Sequence, residues 1–131
     1  MSFNSILQEI VDQCGGGFSA SLMGLDGIAI DEVRRGPDVE TTGRMSDDPL
    51  RGDVTDAGIE FGRILNEMTK ASEALGAGSL RETVVCLSRV NLIFHAVDEE
   101  LILVLSLHPD GNLGKARYLI RRSLPLIRAE L

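Results

Sequence analysis

The chain has 131 residues, of which 44% are apolar, enough for one core and too few for two independently packed domains. Its 13 basic and 20 acidic residues leave a net charge of -7, which opposes non-specific attraction to nucleic acid or to an anionic membrane. The longest apolar run, Leu101 to Leu105, falls far short of the roughly 20 residues that span a bilayer. Met1-Ser2-Phe3 carries neither a signal peptide nor a myristoylation site, so a soluble, cytoplasmic protein without membrane insertion is expected.

Phe3, Ile6, Leu7, Ile10, Val11 and Cys14 recur at helical spacing and predict a helix that Gly15-Gly16-Gly17 stops. Phe18 to Met23 alternates as a strand, Asp26-Gly27 is a tight-turn dipeptide, and Ile28 to Val33 is the return strand of the hairpin. Gly36 to Gly52 holds two prolines, three glycines and four acidic residues without periodicity, and is expected to be a mobile loop. Asp53 is the expected cap of a long helix ending near Leu75, with Gly76 beyond it.

At about 100° per residue, Ala57, Phe61, Ile64, Met68, Ala71 and Leu75 line up as the expected core stripe of this helix. Beside it runs a stripe of mostly small residues, Gly58, Gly62, Leu65, Thr69 and Ser72. Glycine in a helix interior costs about 1 kcal/mol relative to alanine, so close approach of another backbone should offset it. That backbone belongs either to a second chain or to the helix's own sheet.

Glu82 to Ser88, Leu92 to Val97 and Leu101 to Leu107 read as three strands joined by short turns, hence antiparallel neighbours. Leu101 to Leu105 lacks alternation, which places it centrally with helices over both faces. Asn112 caps a final helix with Leu113, Ala116, Ile120, Leu124, Ile127 and Leu131 inward and Pro125 expected to kink it. Arg117, Arg121 and Arg128 form one outer flank, which suits either acidic partners or the negative end of the helix dipole.

Little in the sequence points to catalysis. Cys14 and Cys86 are too few for a disulfide framework and too isolated for zinc, and both read as reduced thiols packed like small apolar residues. His95 falls on a strand face with Ile93 and Val97, and His108 in a turn, both as structural residues. Asp98-Glu99-Glu100 is a solvated turn rather than a cation site. Pro109 to Ala116 imitates a phosphate-binding loop, but Pro109 stands where the first glycine belongs and Ala116 where a magnesium-holding hydroxyl belongs. Nucleotide or small-ligand binding through Gly111 to Lys115 is the alternative of a different class, separable by titration with nucleotide. No catalytic residue, metal or cofactor is expected.

Leu22-Met23-Gly24-Leu25-Asp26-Gly27-Ile28-Ala29-Ile30, Leu101-Ile102-Leu103-Val104-Leu105 and Asp110-Gly111-Asn112-Leu113-Gly114-Lys115-Ala116-Arg117-Tyr118-Leu119 together resemble the roadblock/dynein light chain family, in its bacterial MglB-like branch. The likeness covers nearly the whole chain except Gly36 to Gly52, an enlarged loop relative to the family pattern. It implies an α+β, profilin-like sandwich in one domain spanning residues 1–131, of order α-β-β-α-β-β-β-α. A five-stranded antiparallel sheet would carry the long helix on one face and the two terminal helices on the other. It further implies a non-enzymatic homodimer in a bacterial polarity or gliding-motility system, able to cluster at a cell pole. Its partners would be a Ras-like, MglA-like small GTPase, activated or scaffolded, or another, MglB-like roadblock protein bound as by an adaptor. Gly58, Gly62, Leu65, Thr69 and Ser72, with Thr83 and Val85 on the third strand, are the expected dimer or partner interface. Any GTPase activation is expected to work by holding the partner's switch loops, since Arg44 and Arg51 lie in the loop and Arg63 within a helix, none suited to an arginine finger.

Overall fold

In the computed structural model, residues 2–35 and 57–131 are described. The element order is the expected one: α1 (Phe3–Gln13), β1 (Gly17–Gly24), β2 (Ala29–Arg34), α2 (Gly58–Leu75), β3 (Glu82–Cys86), β4 (Asn91–Ala96), β5 (Leu101–Leu107) and α3 (Leu113–Ala129). The expected mobile loop, Gly36 to Gly52, and the Asp53 cap lie outside the described residues. Ala57 occupies the N-cap position of α2 without a side-chain cap hydrogen bond.

Local chemistry sets the boundaries. The Ser2 hydroxyl accepts from the Ser5 amide at the start of α1, and the Asn112 side chain accepts from the Lys115 amide at the start of α3. At the end of α2, Gly76 turns left-handed at φ 64°, and its amide donates to the carbonyls of Glu73 and Ser72. α3 continues through Pro125 to Ala129. Leu131, expected inward, lies past the helix end and is exposed, whereas Leu119 and Ser123 join the buried face.

The sheet order is β2-β1-β5-β4-β3, antiparallel at every pairing. β5 sits centrally, and its alternate side chains enter two different cores. Leu103, Leu105 and Leu107 meet Ile6, Leu7 and Ile10 of α1 and Ala116, Ile120 and Ile127 of α3. Ile102 and Val104 meet Met23, Leu92, Phe94 and Leu65 of α2. The apolar run therefore reflects burial on both faces, as expected of a central strand. Among the described residues, the unpaired edges of the sheet are β2 and β3.

The hairpin between β1 and β2 anchors α2. Gly27 adopts φ 86°, the Gly24 amide donates to Ile28 at 3.0 Å, and Asp26 Oδ1 accepts from the Ile28 amide at 3.0 Å. This compact turn presents its own backbone to the first two turns of the helix.

Candidate protein-interaction interface

α2 is set down on that turn by its glycines. A Cβ at Gly58 would stand 2.6 Å from the Gly27 carbonyl oxygen, and one at Gly62 would stand 2.5 Å from that of Leu25. Gly58, Gly62 and Leu65 are consequently buried against the chain's own sheet. Further along the same side, the Thr69 hydroxyl donates to the Leu65 carbonyl at 3.0 Å, and Ser72 Oγ donates to the Gly78 carbonyl. The small-residue stripe is thus the inward face of the helix, with the helix lying on its own sheet as the close-approaching partner.

The expected core stripe is corrected accordingly. Ile64 is 52% exposed and Met68 41%, and Ala71 and Leu75 are exposed as well; Ala57 is half-buried at the N-cap and Phe61 turns in, its ring centroid 4.9 Å from that of Phe94. The helix is rotated by roughly a quarter turn from the orientation that apolar content alone suggests, because the absence of a Cβ at two positions permits a backbone contact that no larger side chain could make.

The outward stripe runs on to the edge strand. Thr83 Oγ1 lies 3.8 Å from Met68 Sδ, and Thr83 and Val85 are half-buried on the α2 side of β3. Val84 and Leu87 are exposed at the same edge. Ile64, Met68, Leu75 and β3 together make an apolar surface beside an unpaired row of backbone donors and acceptors, the combination that recruits another chain. At the opposite edge of the sheet, Ile28 and Ile30 of the β1–β2 hairpin region and Ile59 of α2 are also exposed.

The residues weighed for chemistry take structural roles. His95 is buried, and its Nδ1 lies 3.0 Å from the Ala96 carbonyl oxygen. His108 stacks on Phe18 at 4.0 Å between centroids. Asp98 Oδ1 accepts from the Glu100 and Leu101 amides at 2.8 Å each, closing its turn. In the phosphate-loop lookalike, the amides of Gly111, Asn112 and Lys115 donate to His108, Gly15 and Asn112 respectively, and are committed within the chain. Cys14 is buried, but Cys86 is exposed on the edge strand, contrary to its expected packing. Among the described residues no group of three or more metal-ligating side chains comes together, and no helix is long and apolar enough to cross a membrane.

Neither a protein-family model nor a curated protein matches the chain. Among solved structures, MglC from Myxococcus xanthus is 34% identical, with complete coverage of both chains and a TM-score of 0.66. The chain belongs to the roadblock family, in its MglB/MglC-like branch. The roadblock/LC7 domain from Streptomyces avermitilis is 15% identical over 98% of this chain and 97% of that one, with a TM-score of 0.75. The gliding protein MglB from Thermus thermophilus is 17% identical over 96% of this chain and 85% of that one, with a TM-score of 0.78. The two share the roadblock fold with the chain: five antiparallel strands and three helices in the order α-β-β-α-β-β-β-α.

Proposed function

We propose that this single-domain roadblock protein is a homodimeric regulator or scaffold of a bacterial gliding and polarity system, acting on a Ras-like, MglA-like small GTPase or on its roadblock co-regulator. The observation that carries the reading is the continuity of exposed Ile64 and Met68 with the open edge of β3. Two copies meeting edge to edge there would cover both apolar stripes and extend the sheet across the pair. The interface so defined keeps Thr83 and Val85 of the expected set and replaces the glycines by Ile64, Met68 and Leu75. Likeness to MglC at 34% identity supports the assignment to the same system. It has no catalytic role and no cofactor in this reading.

A second reading, an adaptor that binds an MglB-like roadblock protein without touching the GTPase, is favoured by Ile28, Ile30 and Ile59. They lie at the opposite edge from β3 and stay accessible after pairing. Analytical ultracentrifugation at tens of micromolar should show a dimer that Ile64→Glu with Met68→Glu converts to a folded monomer. A monomeric native protein overturns the dimer. Co-sedimentation with the Ras-like GTPase in its GTP-analogue state, and separately with an MglB-like protein, then divides the two readings, with Ile28→Asp selectively weakening the adaptor contact.

A further inference from the structure

At the β3 edge of the sheet, in a cleft that runs from Ser72 near the end of α2 to α3, positive charge is concentrated. Glu82 of β3 lines this cleft, with Arg117 Nε 2.6 Å from its Oε1 and with Arg121 Nη2 and His95 Nε2 each 3.7 Å from its Oε2. Oε2 is buried and lacks a hydrogen-bond partner, so Arg121 acts on it as a charge across a gap. Arg81 has no ion pair among the described residues, and it lines the same open cleft of about 650 Å³. The connection from α2 to β3 forms one wall with Ser79 and Arg81, and α3 forms the other with Arg117 and Arg121. Arg117 and Arg121 share the Glu82 carboxylate, and Arg81 lines the cleft beside them while also bordering the adjoining cleft of Glu73, Asp98 and Glu99; three arginines and one carboxylate thus line this cleft, in a chain whose net charge is -7.

Helix electrostatics does not account for this. Arg128 occupies the last turn of α3, where the dipole welcomes a cation, but Arg117 and Arg121 lie in the first half, four residues apart, where like charges repel. Glu82 engages only the Nε of Arg117, and the side chains of Arg117 and Arg121 remain 43% and 59% exposed. Their free edges present paired N–H donors suited to bidentate contact with a carboxylate.

We propose that this cleft docks an extended acidic segment of a partner protein, with carboxylates at alternate positions. Four residues of helix separate the two arginines by about 6 Å along the α3 axis. Alternate side chains of an extended strand are about 6.6 Å apart, a matching interval. Charge on both walls of an open trough suits a chain laid along it better than one compact anion, and the overall negative charge repels the broad polyanionic surfaces of nucleic acid and membrane. The inference rests on the cleft alone and not on the dimer.

The full-length, 15N-labelled chain is titrated with the peptide acetyl-Glu-Ser-Glu-Ser-Glu-amide, with its Gln counterpart, and with inorganic phosphate. The backbone amides of 79–82 and the Nε–H signals of Arg117 and Arg121 are followed, and the oligomeric state of each sample is measured by sedimentation. Saturable shifts at these signals with the Glu peptide alone are expected, weakened about tenfold or more by Arg81→Gln with Arg121→Gln and unchanged by Arg63→Gln. Equal shifts with the Gln peptide, undiminished binding to the double variant, or shifts with phosphate but not with peptide would overturn the proposal. Sedimentation reports the dimer independently, so failure of one reading leaves the other measurable.

Discussion

The two stripes of α2 invert a common intuition about which side of a helix is the inside. The side carrying Gly58, Gly62 and Leu65 is buried, and the side carrying Ile64, Met68 and Leu75 is open. On the inner side, smallness is used to bring the helix axis onto the Leu25–Gly27 backbone. On the outer side, Ile64, Met68 and Leu75 are exposed among the described residues. Side-chain size here separates the buried stripe from the exposed one better than hydrophobicity does.

The sharpest way to break this contrast uses two consecutive residues. Leu65→Ala should cost about 3 kcal/mol of folding stability, the range for truncating a buried leucine, whereas Ile64→Ala should change the stability of the monomer by less than about 0.5 kcal/mol. Urea denaturation in the Met68→Glu background, which would remove linkage to the proposed dimer, measures both. Equal losses would mean that the helix is not rotated as described. A smaller effect is expected for Gly62→Ala. The added methyl meets the Leu25 carbonyl oxygen at 2.5 Å, an overpacking cost of roughly 2–3 kcal/mol that the better helix propensity of alanine reduces by about 1. A stabilised Gly62→Ala protein would show that the helix can lift from the turn without loss.

Smallest in energy, and the most direct to read, is the contrast between the two thiols. Cys86 is exposed and should react with a disulfide reagent at once, whereas Cys14 should react only as the chain opens, on the order of a thousandfold more slowly or beyond. Burial raises the Cys14 pKa more than its Gly17 backbone hydrogen bond lowers it, so the folded state holds that proton more tightly than the unfolded chain does. The corresponding stability is fully present below the unfolded thiol's pKa and is lost as pH rises through the folded value. Cys14→Ala should flatten that alkaline decline in a pH series of denaturation midpoints, and an unchanged slope would assign the decline to other groups.

Much of the architecture is legible in the residues themselves. The unbroken run Leu101 to Leu105 announces a central strand, Asp26-Gly27 a hairpin, and Asn112 and Gly76 a helix start and a helix end, because each depends on chemistry within a few residues. The orientation of α2 was not legible from periodicity, since two adjacent stripes both qualify and the choice depends on a turn some 30 residues earlier in the chain. The glycine pair is the available signal: it admits a second chain or the chain's own sheet, and the packing takes the sheet. The basic cleft was half visible: the arginine flank of α3 can be read from spacing, but Glu82 and Arg81 join it only through the pairing of β3 with β4.

The central pairing of β1 with β5 also bears on how the chain reaches its fold. Ser19 and Ser106, whose hydroxyl oxygens lie 2.5 Å apart, are separated by 87 residues in sequence. The hairpins β1–β2 and β4–β5 can each zip locally, but neither acquires a second covered face until they meet. Sheets completed by such distant strands carry high contact order and fold slowly. A chain emerging from the ribosome therefore exposes the apolar faces of β1 and β2 until β5 has been made, so this interval, more than any weakness of the finished structure, is when chaperone protection against aggregation counts most.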